Sequence, residues 1–471
     1  MIKKREHWSS SLGFILAAAG SAVGLGSLWR FPYYTGENGG GLFVLFYVFF
    51  TFIVGIPVFL AELIIGRNSQ KSPVGALSEL SKFSHAWKSL GWLCVFSSFI
   101  ILSFYSVVAG WGLNYALMSM CQFTENHSSE EIRKIFDALY QSGDINLLWH
   151  FVFMLMTVGI VYGGVREGIE RWSRILMPAL FFILFGLFLY SATLPGFEEA
   201  WQFILYPDFS KFGATSALKA LGMSFFTLSL GLGIVLTYGS YMKTDENLPK
   251  TALIISLINV SVSIIASLMI FPIIFSFGFS PEEGPGLVFK TMPVLFGKLS
   301  GGTFLSIVFF TVLVFTAITS SISLLEVLVA NSIERLNWSR KQSSVVIGIA
   351  AFLFGIPCAL SGSETIFPSW KLMYGKDFFS TISNTPDVLM PMGGFFIAVF
   401  VGWFLDKKLV REEFCRGTKV VYLFPIWYFL IRWIAPLSIL LIMLYQNDSS
   451  SLEMQENSHS FLERLWRMLK S

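Results

Sequence analysis

In AAAGSAVGLGSLWRFP, residues 17–32, the glycines Gly20, Gly24 and Gly26 fall within seven residues of an otherwise apolar segment. A second run, FFTLSLGLG at 225–233, repeats the pattern with Thr227, Ser229, Gly231 and Gly233. A membrane-spanning helix normally keeps an unbroken row of hydrogen bonds, because unpaired amides and carbonyls are costly in hydrocarbon. Small residues midway along a span loosen that row, and the carbonyls and helix-end amides so exposed can hold Na⁺ and a carboxylate. Close helix packing through small residues is the alternative. The matched positions of the two runs, with their clustered Ser and Thr, favour a binding site.

The elements that must position these residues are membrane helices. Of 471 residues, 54% are hydrophobic and only 13% charged, about half the charge of an average globular chain; the mean hydropathy is +0.66. Apolar stretches recur at 12–35, 42–69, 88–120, 148–165, 173–194, 214–241, 250–278, 300–333, 344–360, 389–405 and 421–444. Their lengths suit bilayer spans. With the amino terminus inside, the inner loops hold 20 Lys and Arg and the outer loops seven, so the positive-inside rule sets a cytoplasmic amino terminus. The membrane is the plasma membrane or a bacterial inner membrane. Loops 122–147 and 361–388 fall outside, and 445–471 is a polar tail whose stretch FLERLWRML suits an interface, a disordered tail without a role being the favoured alternative.

Other classes lack their signals. The net charge of +3 follows from orientation, and no basic and aromatic interleaving points to nucleic acid. Cys94, Cys121, Cys358 and Cys415 have no metal-ligand spacing. The first segment has no convincing small-x-small cleavage site and is expected to stay in the mature chain.

The run REHWSSSLGFILAAAGSAVGLGSLWRFPYYTGENGGG at 5–41 resembles the signature of the neurotransmitter:sodium symporter family, in its bacterial amino-acid-transporter branch of the LeuT and MhsT type. The likeness continues through SFFTLSLGLGIVLTYGSY at 224–241, Asn259, TAITSS at 316–321 and PMGGFFIAVFVGW at 391–403. It implies an all-α polytopic membrane protein with a LeuT-like 5+5 inverted-repeat fold, discontinuous helices 1 and 6, and about 11 transmembrane helices. The implied organisation is a cytoplasmic segment 1–10, repeats at 11–194 and 214–405, an eleventh helix at 421–444, and the tail. The resemblance also implies Na⁺-coupled amino-acid symport without covalent chemistry, by a monomer or weak homodimer in the lipid bilayer.

Two sodium sites are implied. The first uses Ala22, Thr227 and Asn259, with Ser27 where the family commonly has Asn, which predicts a weaker or differently coordinated site. The second uses Gly20, Val23, Thr316, Thr319 and Ser320 and keeps the family pattern. The implied substrate pocket comprises Ser21, Ala22, Gly24, Gly26, Ile101, Tyr105, Phe226, Thr227, Ser229, Leu232, Ser320 and Leu324. Gly24 stands where the amine-transporting branch usually has Asp, and glycine cannot pair with an ammonium group. That favours an α-amino acid, and the apolar Ile101, Phe226, Leu232 and Leu324 favour a hydrophobic or aromatic side chain.

A candidate chloride site has Tyr47, Thr227 and Ser263, but Met223 replaces the expected glutamine. A thioether donates no hydrogen bond, so a weak chloride requirement is expected. The implied gates are Arg5, Trp8, Tyr241 and Glu334 inside and Arg30, Tyr105 and Phe226 outside. Ile382 aligns with the family's acidic partner of Arg30, leaving Asp377 and Asp387 as substitutes. Gly168 and Pro178 mark a place where the fifth helix can unwind, a static kink being the alternative. Glu62, at membrane depth, is expected to tie segment 2 to the broken helices. Proton-coupled or amine transport on the same fold, or a non-transporting receptor or structural role, stand as alternatives.

Overall fold

The computed structural model describes residues 5–81, 84–125, 127–209, 213–279, 286–363, 366–367 and 370–445. The stretch FLERLWRML lies outside the described residues. Those described are almost wholly helical, and all eleven expected segments appear as helices. Nine are continuous: Gly41–Ser69, His85–Met120, Gly143–Tyr162, Val165–Ser191, Leu248–Ser276, Gly302–Leu336, Arg340–Ser363, Phe378–Phe404 and Val421–Tyr445. The first span is a pair, Ser11–Ala22 and Gly26–Glu37, bent by 50°. The sixth is Ala214–Thr227 followed by Ile234–Gly239.

Three spans begin earlier than hydropathy suggests. The fourth starts at Gly143, and the fifth at Val165, where a π-helical turn carries Arg166, Glu167 and Glu170. The tenth starts at Phe378, inside what reads as an outer loop, because Pro386 sits in the first turn of a helix, where a missing amide costs nothing. Gly168 lies in the π-helical turn and Pro178 inside the helix that follows, so the fifth span is wound throughout. Loop 122–147 holds an amphipathic helix, Ser129–Gln141, started by a capping box between Ser128 and Glu131.

The third and eighth spans are the most enclosed and pack along each other beside the two broken spans. Large apolar side chains such as Phe182, Leu155 and Leu353 are exposed on the outer helices, where a bilayer replaces water as solvent. A buried ion pair, Arg67 Nε to Glu413 Oε2 at 2.7 Å, fastens the end of the second span to the helix Lys407–Cys415. Such a pair is costly to break by removing one partner.

Candidate functional site

The first span stops at Ala22. Val23 leaves the helix with φ −78° and ψ 75°, Gly24 N donates to the Ala22 carbonyl at 2.9 Å, and the chain resumes as a wide turn at Gly26–Arg30. The sixth span breaks after Thr227, with Ser229, Gly231 and Gly233 in the left-handed region at φ 54°, 80° and 72°. Glycine enters that region without a Cβ penalty. Glu62 of the second span, fully buried, replaces the lost helical acceptors: it accepts from Gly231 N at 2.8 Å and from Leu236 N at 3.3 Å. The expected tie between the second span and a broken helix is therefore a pair of hydrogen bonds.

The two breaks face each other. Ser229 Oγ and Ser320 Oγ both donate to the Ser21 carbonyl, at 3.1 and 3.3 Å, and Ser21 Oγ lies 2.7 Å from Ser323 Oγ. Beside them opens a cavity of about 670 Å³, and all twelve residues expected in a pocket line it. The Tyr105 hydroxyl points at the break, 3.5 Å from Leu25 N. Phe104, Val108 and Ile234 complete the apolar wall and were not anticipated; within continuous apolar runs nothing distinguishes them from core residues.

A cluster of oxygens lies on the far side of the first break. One amide atom of Asn259 lies 3.0 Å from Ser27 Oγ, 3.2 Å from the Ala22 carbonyl and 3.3 Å from the Thr227 carbonyl. With nitrogen there the amide donates to all three; with oxygen there, four hard donors converge as a cation requires. The other amide atom faces the Tyr47 hydroxyl at 3.1 Å and Thr227 Oγ1 at 3.0 Å. Tyr47 in turn lies 3.3 Å from Ser263 Oγ, and all four side chains are fully buried.

The residues expected around a second ion are also neighbours. A Cβ added to Gly20 would stand 3.1 Å from Thr319 Cβ. Thr319 Oγ1 turns back to its own helix, donating to the Thr316 carbonyl at 3.0 Å.

Both ends of this region are barred. At the cavity mouth Arg30 pairs with Asp387 at 2.7 Å, and its guanidinium lies 4.5 Å over the Phe226 ring. Asp387 is thus the substitute acid. Asp377 instead caps its own helix through Ser380 N and accepts from the Tyr140 hydroxyl. Burial, with this carboxylate beside it, pushes the Tyr140 phenol above its usual range.

At the opposite end Arg5 pairs with Glu334 at 3.4 Å, donates to Ser240 Oγ, and lies 4.7 Å over the Tyr241 ring. Trp8 Nε1 donates to the Tyr238 carbonyl at 3.0 Å. Further residues secure this end that sequence reasoning missed. Arg340 pairs with Glu326 at 2.7 Å and with Glu6 at 2.9 Å, and Glu170 accepts from Ser9 N at 2.8 Å. As a loop charge Arg340 reads only as an orientation signal, and no motif singles out Glu6, Glu170 or the buried Glu326.

A helical membrane protein with two centrally broken spans, a cavity between them and ion pairs closing both ends is built as an alternating-access carrier. The sequence profile of the sodium:neurotransmitter symporter family matches residues 5–128 and 121–461, and the chain belongs to that family. It is 40% identical over 447 residues to an uncharacterized sodium-dependent transporter, YhdH, of Bacillus subtilis, covering 94% of this chain and 98% of that protein. It is 35% identical to an uncharacterized sodium-dependent transporter of Haemophilus influenzae, covering 94% and 98%. Among solved structures it is similar to MhsT crystallised with L-phenylalanine, at 41% identity and a TM-score of 0.85, over 94% of this chain and 99% of that one. The fold is the LeuT-type fold expected from the sequence.

Proposed function

We propose that this chain carries a hydrophobic or aromatic α-amino acid together with Na⁺ by alternating access. The observation that carries this reading is the cavity between the breaks, with carbonyls and helix ends on one side and Ile101, Phe226, Leu232 and Leu324 on the other. A zwitterion needs both kinds of wall. MhsT, alike over nearly its whole length, binds L-phenylalanine in its crystal structure, which supports an aromatic side chain here.

In this reading the substrate carboxylate lies near Tyr105 and the exposed amides of the first break. The first Na⁺ takes the Ala22 and Thr227 carbonyls, Thr227 Oγ1, Ser27 Oγ and Asn259 Oδ1, and the substrate carboxylate completes its shell. Each then binds better when the other is present, which is thermodynamic coupling. The second Na⁺ takes the carbonyls of Gly20, Val23 and Thr316 and the hydroxyls of Thr319 and Ser320. Access alternates about these ions, which lie between the repeats 11–194 and 214–405, with the Arg5 end toward the cytoplasm and the Arg30–Asp387 latch outside.

Proteoliposome uptake of a panel of labelled amino acids tests this, with the Na⁺, H⁺ and Cl⁻ gradients imposed independently. Uptake of aromatic and branched apolar amino acids is expected only under an inward Na⁺ gradient. Uptake driven by a proton gradient alone, or preferred uptake of amines lacking a carboxylate, overturns the proposal.

A further inference from the structure

The helix Lys407–Cys415 and the eleventh span meet in a groove of about 760 Å³ that shares no lining residue with the substrate cavity and is lined by Lys407, Arg411, Tyr428, Arg432 and Trp433 among others. Trp403 Nε1 donates to the Arg432 carbonyl at 2.9 Å and the Tyr428 hydroxyl to the Gly402 carbonyl at 3.1 Å, which fixes the floor. A Cβ on Gly402 would stand 2.8 Å from Arg432 Cα, so this approach needs the glycine.

Arg432 is the anomaly. It lies within the span Val421–Tyr445, roughly 16 Å along from Val421 at a helical rise per residue. An arginine at such a place demands a counter-charge. Instead its guanidinium lies 4.5 Å over the Trp403 ring and 5.8 Å from the Trp433 ring, and its Nε has no hydrogen-bond partner. Side chains on a helix lean toward its amino-terminal end, and this one reaches back to the Tyr428 ring at 6.0 Å, where the Lys407 ammonium lies 5.1 Å from the same ring.

No carboxylate among the described residues pairs with Lys407, Arg411 or Arg432. Asp406 caps its own helix at Lys408 N, and Glu413 is held by Arg67 and Arg416. Three cations therefore converge on one groove with no anion of the protein's own. The groove opens sideways onto exposed Tyr422, Phe429 and Trp433, so an anion carrying apolar chains can seat its head among the cations and its tails along the span.

We propose that this groove binds the phosphate of an anionic phospholipid in the leaflet at the Arg5 end of the protein. The aromatic rings hold the guanidinium in place, and the phosphate supplies acceptors for its terminal nitrogens, for which the protein provides none among the described residues. Basic pockets between spans are suited to this chemistry.

The test is native mass spectrometry of the purified full chain, titrated with phosphatidylglycerol or with phosphatidylcholine of the same acyl chains, and repeated with inorganic phosphate as competitor. Wild type should retain phosphatidylglycerol well above phosphatidylcholine, and Arg432→Gln should lower that retention about fivefold, as the loss of one interfacial cation predicts. The Lys407→Gln/Arg411→Gln double variant, changed only at exposed positions, should lower it further while Na⁺-dependent amino-acid binding persists. Equal retention of the two lipids, or unchanged phosphatidylglycerol retention in the double variant, overturns the proposal. Full displacement by inorganic phosphate at matching concentration makes the groove a free-anion site and overturns its assignment to lipid.

Discussion

Arg30 and Asp387 meet at 2.7 Å across the mouth of the substrate cavity, with the Arg30 guanidinium lying over the Phe226 ring. The pair thus closes the cavity and holds down the ring that caps it. Asp387→Asn should leave Na⁺ dependence intact and speed dissociation of bound amino acid about tenfold, the consequence of losing ~1.4 kcal/mol from a charge-assisted contact. Asp377→Asn, equally close in sequence, should not. The check is dissociation of labelled amino acid from purified protein, and equal effects of the two variants would remove Asp387 from the latch.

Glu62 answers two backbone donors with two oxygens. Glu62→Gln keeps one carbonyl acceptor and turns an amide toward the other donor, so one buried N–H loses its partner, at a cost of about 1–3 kcal/mol. Thermal unfolding in detergent should shift downward, and saturating amino acid with Na⁺ should recover part of the shift, because both ligands bind only the folded breaks. An unchanged melting temperature would mean that Glu62 does not hold the sixth span open.

Thr319→Ala separates folding from ion binding. Its hydroxyl donates only to carbonyls of its own helix, Thr316 at 3.0 Å and Phe315 at 3.2 Å, which already serve that helix. Stability should therefore change little. The Na⁺ concentration for half-maximal uptake should rise about tenfold to a hundredfold, the range seen when a metal site loses a supporting group. Wild-type Na⁺ dependence in the Thr319→Ala/Ser320→Ala double variant would remove both hydroxyls from the second ion.

The break in the sixth span could be read from the sequence, because three left-handed positions in five residues favour small side chains and Gly231 and Gly233 supply two of them; the first break showed only as the clustered Gly20, Gly24 and Gly26. The twelve pocket positions followed from the family resemblance, since several of them, such as Gly24, Ser229 and Leu232, lie in the breaks, where no helical spacing fixes a face. The closing contacts were harder to read. The partner of Arg30 lies beyond an irregular segment where alignment slips and sets the apolar Ile382 at the acid's place, so Asp377 and Asp387 both competed until the backbone path set Asp387 opposite Arg30. Glu6 meets Arg340 and its partner Glu326 from more than 300 residues away in the chain. No local pattern encodes that meeting, and hydropathy placed the tenth span late because Ser383, Asn384, Thr385, Pro386 and Asp387 interrupt its apolar run.

Charge balance around Asn259 gives a prediction in the anion. Tyr47, Thr227, Asn259 and Ser263 form one buried hydrogen-bonded set, and a cation there needs compensation in a low dielectric. Replacing chloride by gluconate should lower uptake modestly. Ser263→Glu brings a fixed negative charge to the set and should abolish that chloride effect. Identical uptake in the two anions for wild type would place the compensating charge on the substrate carboxylate alone.

The closest approach at the lid is between Gly26 and Phe226. A Cβ on Gly26 would lie 2.6 Å from two carbons of the Phe226 ring, closer than any side chain tolerates, and the same ring meets the Arg30 guanidinium. In Gly26→Ala the ring must therefore move and disturb its contact with the Arg30 guanidinium that pairs with Asp387. Uptake should fall severalfold, while equilibrium Na⁺ binding persists because the Ala22 and Thr227 carbonyls are unaltered. The sharper check is a double-mutant cycle with Phe226→Leu, whose smaller side chain leaves room for the methyl. If the clash is the cause, Gly26→Ala should cost much less in that background, since residues in contact give non-additive effects. Additive losses would show that the alanine acts on the backbone of the first break and not through the lid.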